Sequence, residues 1–228
     1  MLDKDTIIVL DDVISPAFQD YLEKLLIAGD CEWFFSADVA HDDDFIKKMG
    51  LPSRFGFSKT YFSAATGRQS PLFATILPMV FEACAKINFV PEATLFSRSF
   101  MTIPLPGEVN SIDHIHVDTA DEHLVCLYYV NDSDGDTVIY DKTLDDFITD
   151  PAIIEKIESV DYSQPGVPTI FQIIDENVDK GDWKIIKRVT PKKGRMLFFN
   201  GHRYHSSSRP STGYRIVINN CVKGHFTK

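Results

Sequence analysis

Hydrophobic positions recur at helical spacing in the first third of the chain and at strand spacing later. A β-branched run over 6–10 predicts a short opening strand. Behind a serine N-cap and a proline at the first helical position, apolar residues at helical spacing predict an amphipathic helix over 16–28. The same spacing predicts a second helix over 71–87, which Pro78 either kinks or starts late. The segment 31–70 carries turn signals and receives no assignment.

From about residue 94 the chain becomes a series of short β-rich runs bounded by turn residues. Residues 142–182 interrupt this series with a predicted helix over 151–158 and a stretch rich in Asp, Pro and Gly, so we expect a mobile insertion or lid. Helices followed by strands predict one α+β domain, with 1–93 as a helical support and 94–222 as a two-sheet sandwich or jelly roll. The predicted strands are 94–103, 112–117, 124–130, 137–140, 184–189, 195–199 and 214–222.

Composition says more about the possible binding partners of the protein than about its fold. The net charge of −10 over 228 residues disfavours nucleic acid, whose phosphates would be repelled. No run approaches the roughly 20 apolar residues that span a bilayer, and the first ten residues lack the features of a signal peptide. We therefore expect a cytoplasmic protein without a membrane segment. The four cysteines form no C-x-x-C pair, which predicts reduced thiols rather than zinc or disulfide sites.

Histidines provide the first candidate chemistry. Five of the seven fall in two clusters, the first holding His114, His116 and His123 and the second holding His202 and His205. Alternate side chains of a strand share a face, so His114, His116 and Asp118 are expected to point the same way. If that face is the interior of the sandwich, an imidazole and a carboxylate converge there.

An arginine follows the second cluster. Arg215 lies ten residues after His205, inside the apolar run 214–222. A buried arginine is costly unless it meets an anion, and its planar guanidinium matches a carboxylate through two parallel hydrogen bonds.

Two histidines and one carboxylate on one side of a metal leave open positions for other ligands, an arrangement that suits non-haem iron(II) oxygenases.

The order H-x-D, a distant histidine and an arginine ten residues later resembles the iron(II)/2-oxoglutarate-dependent oxygenase superfamily, and the prolyl 4-hydroxylase-like branch most of all. Local motifs extend the resemblance over 112–222. They are the tyrosine-rich run 126–131 that ends in Asn, the G-G-x-T-like strand 134–140, the P-x-x-G stretch 189–199 and the histidine-to-proline turn 205–210.

The resemblance implies a double-stranded β-helix with the N-terminal helices packed on one sheet. It implies that His116, Asp118 and His205 bind iron(II), and that Arg215 and Tyr129 bind the distal carboxylate of 2-oxoglutarate. It admits ascorbate as a further cofactor. The implied activity is hydroxylation of a C–H bond in a small-molecule or peptide substrate, with a peptidyl proline favoured, and release of succinate and CO2.

Two other interpretations stay open from the residues. In a cupin-type jelly roll that does not use 2-oxoglutarate, His114 and His116 would be the metal pair, supplemented by Glu122 and His202. That interpretation leaves Arg215 unexplained. A jelly roll can also bind a ligand without converting it.

Overall fold

The strands form two antiparallel sheets, and the computed structural model describes residues 3–40, 46–47, 50, 52–108, 111–161 and 167–227. The strands are β1 (Ile7–Leu10), β2 (Phe34–Ser36), β3 (Gly56–Ser63), β4 (Gly67–Arg68), β5 (Phe89–Thr102), β6 (Leu124–Tyr129), β7 (Thr137–Thr143), β8 (Ile185–Val189), β9 (Met196–Asn200), β10 (Arg203–Ser207) and β11 (Arg215–Phe226). The larger sheet has eight strands in the order β1-β9-β6-β11-β5-β3-β2, with β4 paired to β3. The smaller sheet has the order β10-β7-β8.

Helices lie on the outer faces of both sheets. The helices are α1 (Pro16–Ile27), α2 (Phe73–Ala85), α3 (Asp145–Ile148), α4 (Pro151–Glu158) and α5 (Ile170–Asn177). α1 and α2 bury residues such as Leu22 and Met79 against the outward side chains of β6, β9 and β11, including Tyr128 and Phe198. The predicted helices and their position on one sheet are confirmed, and Pro78 lies inside α2. No helix among the described residues is both long and apolar enough to cross a membrane.

The opposite face of the larger sheet meets the smaller sheet. Leu127, Leu197 and Val217 of the larger sheet pack with Ile139 and Val189 of the smaller one in a second buried cluster. Alternation along each strand divides the two clusters, because neighbouring side chains point to opposite faces. The α+β class and the two-sheet core are confirmed. That the whole chain is one domain stays a prediction.

Three strands come from the segment that received no assignment. β3 pairs with β5, and β2 and β4 each pair with β3. β5 also begins at Phe89, five residues before the predicted start at 94, and its first residues pair with the end of β11. These residues include Pro91 and Glu92, which have low strand propensity. Long-range pairing, rather than local sequence preference, therefore defines this edge of the sheet.

The predicted strand 112–117 is wrong. Only two isolated bridges form there, Ile112 with Ser208 and His116 with His205. The two bridges are four residues apart in the segment 112–116 but only three residues apart in the segment 205–208. The first segment therefore contains one extra residue, as in a β-bulge. The strict alternation expected for this segment is lost between the bridges.

The expectation of limited packing over 142–182 is also wrong for its described residues, which exclude 162–166, whereas its mobility stays a prediction. The predicted helix 151–158 is confirmed as α4, which Asp150 caps by accepting from the Ala152 N–H at 2.8 Å. Ile153 and Ile174 are buried against Tyr140 and Tyr204, on the outer face of the smaller sheet. Helices α3, α4 and α5 thus form a third apolar cluster with the outer face of the smaller sheet. The second cluster lies on the inner face of that sheet.

Candidate metal centre and arginine pocket

His116 and His205 are brought together by their backbones. Each N–H donates to the carbonyl of the other residue at 2.9 Å, which joins the segment before β6 to strand β10. Side chains of such a hydrogen-bonded pair lie on the same face, and the two ring centroids are 4.6 Å apart. With the Asp118 carboxylate, one donor atom from each of the three residues lies within 4.8 Å of the others.

The backbone also orients both imidazoles. Nδ1 of His116 lies 3.0 Å from the carbonyl oxygen of His114, and Nδ1 of His205 lies 3.0 Å from that of Arg203. A carbonyl can only accept, so each neutral ring carries its proton on Nδ1 and presents a lone pair at Nε2. Metal-binding histidines are commonly held in this way through their second nitrogen.

Asp118 is buried and tied to the larger sheet. Its Oδ1 accepts from Nη2 of Arg98 at 2.7 Å, and its Oδ2 accepts from Nδ2 of Asn219 at 3.0 Å. Burial alone would raise the pKa of Asp118, but the positive charge of Arg98, the two nearby imidazoles and the Asn219 hydrogen bond hold it well below its ordinary value. The carboxylate is therefore ionised at neutral pH. Its Oδ2 lies 3.7 Å from Nε2 of His205.

Arg98 is held in place by its own strand. Its guanidinium carbon lies 4.3 Å from the ring centroid of Phe96 and 4.9 Å from that of Phe100, the neighbours on the same face of β5. Such cation–π contacts favour one orientation of the side chain. Arg98 thus fixes Asp118 from a position 20 residues away in sequence.

The three donor residues line a pocket between the two sheets. Besides these donors, its lining includes apolar side chains of the larger sheet and polar side chains of β7, β10 and β11. The main apolar members are Phe100, Val125, Leu127, Phe199 and Val217. None of the lining residues belongs to the described part of the insertion 142–182, and a role for the insertion as a lid stays a prediction.

The arginine predicted to bind an anion lines the same pocket. Arg215 is 4% exposed, and its Nη2 donates to Oγ1 of Thr137 at 2.8 Å. Its buried Nε has no hydrogen-bond partner among the described residues. Burial lowers the pKa of Arg215 from its ordinary value, yet a guanidinium remains charged at neutral pH. The pocket therefore contains a buried cation with unused donor capacity.

Tyr129 stands beside this cation. Its hydroxyl donates to Oγ1 of Thr137 at 2.7 Å, and the Arg215 guanidinium lies 5.9 Å from its ring centroid. Burial raises the pKa of Tyr129 to about 12, so the phenol is neutral and can donate. Thr137 joins the two residues through one oxygen.

Gly135 lets the chain pass close to Arg215. A Cβ at this position would lie 2.7 Å from the carbonyl oxygen of Ser208 and 3.1 Å from Cδ of Arg215. This spacing is too short for a carbon side chain, so a glycine is needed here. The turn after His205 can consequently pack against the stem of the arginine.

A buried ion pair anchors the same turn. Nε of Arg209 donates to Oδ1 of Asp113 at 2.6 Å, and the Ser207 hydroxyl donates to Oδ2 at 2.6 Å. Nη1 of Arg209 donates to the carbonyl of Phe55 at 2.7 Å. These contacts connect the segment that carries His116 to the segment that carries His205.

The remaining histidine candidates lie elsewhere. His114 was expected to share a face with His116, but its Nδ1 lies 3.0 Å from Oδ2 of Asp38 because the extra residue breaks the alternation. His202 lies 3.0 Å from both Oδ1 of Asp145 and the carbonyl of Ala120. Neither joins the donor cluster of the described residues that contains His116.

Sequence reasoning missed three residues of the site: Arg98, Thr137 and Asn219. Thr137 had a signal, since it occupies the threonine position of the G-G-x-T-like strand. Arg98 and Asn219 had none beyond being polar residues inside predicted strands. The register that pairs Asn219 with Arg98 across β11 and β5 brings both to Asp118.

Solved structures share this fold. The non-haem α-ketoglutarate-dependent epimerase SnoN from nogalamycin biosynthesis aligns with a TM-score of 0.56 at 14% identity, over 96% of this chain and 78% of that chain. A prolyl hydroxylase from Trichoplax adhaerens, in complex with a hypoxia inducible factor peptide fragment, gives 0.52 at 10% identity, over 95% and 82%. Iron-bound HygX from Streptomyces hygroscopicus gives 0.50 at 15% identity, over 99% and 85%. Neither a family model nor a curated protein matches the sequence.

At these identities the likeness establishes the architecture and nothing finer. The two antiparallel sheets have the double-stranded β-helix fold of iron(II)/2-oxoglutarate oxygenases, as the resemblance implied. Fold alone does not assign a reaction, which depends on the chemistry of the site.

Proposed function

We propose that this chain is an iron(II)- and 2-oxoglutarate-dependent oxygenase that hydroxylates a C–H bond of a small-molecule or peptide substrate. One observation carries the proposal: a two-histidine, one-carboxylate cluster and a buried arginine with unused donors line the same pocket. The fold shared with enzymes of this class supports it.

The donor set suits iron(II). His116, Asp118 and His205 would hold the ion through two imidazole Nε2 atoms and a carboxylate oxygen, the facial set of non-haem iron oxygenases. The bound ion would supply the oxygen activation that couples conversion of 2-oxoglutarate and O2 into succinate and CO2 to insertion of the other oxygen atom into a substrate C–H bond. The protein's own part is to fix its ligands, which the backbone carbonyls and Arg98 do.

The other end of the pocket suits a carboxylate. Arg215 would pair with the distal carboxylate of 2-oxoglutarate, which gives its unpartnered Nε and remaining N–H groups an acceptor. Tyr129 is a neutral phenol that donates to Thr137, and the Thr137 hydroxyl can in turn donate to the carboxylate. Apolar neighbours such as Val217 and Leu127 keep water from competing with these contacts.

The proposed substrate is a peptide or a small molecule. The prolyl 4-hydroxylase-like motifs favour a peptidyl proline, and the Trichoplax adhaerens neighbour carries a peptide. SnoN is instead an epimerase of nogalamycin biosynthesis, so the fold accommodates both substrate classes. The net charge of −10 disfavours nucleic acid, and a cytoplasmic location rests on the sequence alone.

The alternative interpretations fit the site less well. A cupin-type pair of His114 and His116 requires His114 in the cluster, but its imidazole faces Asp38. A ligand-binding jelly roll without catalysis gives no reason for three metal donors beside a buried arginine. Both alternatives predict no turnover of 2-oxoglutarate.

The test is succinate formation by the purified protein with iron(II), 2-oxoglutarate, ascorbate and O2. We expect slow succinate release without a substrate, and its loss when iron is omitted or when His205 is replaced by alanine. A wild-type protein that binds iron(II) but forms no succinate and does not bind 2-oxoglutarate under anaerobic conditions would refute the proposal.

A further inference from the structure

A thiol and a further imidazole also approach Asp118. Sγ of Cys221 lies 3.7 Å from Oδ2 of Asp118, the same distance that separates this oxygen from Nε2 of His205. One donor atom from each of Asp118, His123 and Cys221 lies within 4.8 Å of the other two. His123 precedes β6, and Cys221 lies on the adjacent strand β11.

His123 has a buried nitrogen available to a ligand. The side chain is 1% exposed, and its Nδ1 lies 2.6 Å from the carbonyl of Asp121, to which it donates. Its Nε2 is buried and has no hydrogen-bond partner among the described residues. Gly201 makes room for the ring, because a Cβ there would lie 2.1 Å from Nε2. A buried acceptor without a partner is costly and marks a place where an ion or a donor is expected.

Cys221 is a fully buried free thiol on the pocket side of the sheet. Its nearest polar neighbours are Oδ2 of Asp118 and Oδ1 of Asn219, both oxygen acceptors. The thiol proton of Cys221 is directed to these acceptors. A bound divalent ion would replace that proton, which leaves to solvent.

We propose that Asp118, His123 and Cys221 form a second donor set, for a thiophilic divalent ion such as zinc(II) or cobalt(II). Sulfur, nitrogen and carboxylate oxygen donors together suit zinc-like ions, whereas two imidazoles and a carboxylate suit iron(II). The inference rests on the positions of these three residues and is independent of the proposed oxygenase activity.

The spacing allows a tetrahedral site after a small contraction. Zinc binds thiolate sulfur at about 2.3 Å and imidazole nitrogen at about 2.0–2.1 Å, which puts tetrahedral donor atoms about 3.5 Å apart. Donor atoms separated by at most 4.8 Å need to approach by about 1.3 Å or less, a shift that side-chain rotation can supply. A water molecule would complete the set.

The two donor sets exclude each other. Both use Asp118, and Oδ2 is the carboxylate oxygen close to His205 as well as to Cys221. An ion bound by Cys221 and His123 therefore takes this ligand from the set that contains His116. These two sets should together hold one divalent ion at a time. An ion that prefers sulfur should bind at Cys221 and His123, and an ion that prefers nitrogen and oxygen should bind at His116 and His205.

Cobalt(II) spectroscopy of His116→Ala tests the inference, because cobalt bound to thiolate shows a near-ultraviolet charge-transfer band that nitrogen and oxygen ligands do not give. His116→Ala disables the histidine-rich set and should bind one cobalt ion per chain with this band. The double variant His116→Ala/Cys221→Ala should lose the band and bind cobalt more than about tenfold more weakly. The matched control His116→Ala/Cys126→Ala should keep it, since Cys126 is a buried thiol on the opposite face of the sheet.

Circular dichroism verifies folding of each variant, and His205→Ala serves in place of His116→Ala if the latter does not fold. Cobalt bound without the thiolate band, no cobalt binding, or a band that survives Cys221→Ala would each refute the second site. Two cobalt ions per wild-type chain would refute the competition for Asp118.

Discussion

The two ends of the pocket differ in how fully the protein satisfies their polar groups. At the metal end, each of the two proposed histidine ligands has its Nδ1 on a backbone carbonyl, and Asp118 accepts from Arg98 and Asn219. At the other end, Arg215 makes one hydrogen bond, to Thr137, while its Nε has no partner among the described residues. The protein thus arranges the first end by itself, and the second end is complete only with an anion.

This difference separates two kinds of binding energy. Ligands already held in place lose little conformational entropy when the metal binds, so affinity at that end depends on which donors are present. At the Arg215 end an anion would relieve the cost of a buried and incompletely paired cation. Substitutions at one end should therefore leave binding at the other end nearly unchanged.

Loss of a nitrogen ligand should have the largest effect. In His205→Ala we expect the iron(II) dissociation constant to rise by more than about 100-fold, because removing a residue that only orients a ligand already costs 10–100-fold. The fold should survive, since the backbone bridge to His116 does not need the imidazole. Anaerobic equilibrium dialysis measures the affinity, and circular dichroism the fold.

His114→Ala is the matched control for that experiment. It removes an imidazole that faces Asp38 but retains the carbonyl that holds Nδ1 of His116. Iron affinity should stay close to that of the wild type. If His114→Ala loses iron and Asp118→Ala keeps it, the metal lies on the cupin-type pair instead.

Arg215→Ala should have the next largest effect, at the other end. We expect 2-oxoglutarate binding to weaken by about 2–5 kcal/mol, the usual cost of removing one partner of a buried charge pair. Arg215→Lys should recover only part of the loss, because an ammonium group cannot reproduce the planar bidentate contact. Calorimetry on anaerobic, iron-loaded protein measures this affinity. An unchanged affinity in Arg215→Ala would show that another cation binds the co-substrate.

The proposed metal ligands were easier to identify from the sequence than the residues that hold them in place. His116, Asp118 and His205 stand out because metal donors are few residue types and their spacing forms a motif. Arg98 carries no such signal, since it reaches Asp118 through the register between β5 and β11. Such a register depends on pairing between distant segments, which local hydrophobic patterns do not specify.

The same limit explains the errors in the fold. The helices and most core strands were predictable because their apolar positions repeat locally. The extra residue between the bridges at 112 and 116 is visible only against the partner strand, so His114 was placed on the wrong face. In 142–182 the many Asp, Pro and Gly residues concealed α3 and α5, and the buried Ile174 of α5 needs the smaller sheet to pack against.

Asn219→Ala should reduce the iron(II) affinity by an intermediate amount. Asn219 donates to Oδ2 of Asp118, so its loss should free the carboxylate to rotate and weaken iron(II) binding by about 10–100-fold. Asn220→Ala is the control on the same strand, because Asn220 points to the opposite face and accepts from Ser97. Dialysis should show weaker iron binding in the first variant alone. Equal iron affinity in both variants would mean that Asp118 does not depend on this hydrogen bond.

Tyr129→Phe should have the smallest effect, and at the Arg215 end. Its hydroxyl is a neutral donor to Thr137, which in turn accepts from Arg215. Loss of one neutral hydrogen bond costs about 1 kcal/mol, or about a fivefold weaker affinity for 2-oxoglutarate, with iron binding unchanged. Tyr128→Phe is the matched control, since that residue alternates to the helix-covered face of the same strand. Calorimetry that found the same loss in both variants would assign the effect to strand packing, and would contradict a role for Tyr129 in 2-oxoglutarate binding.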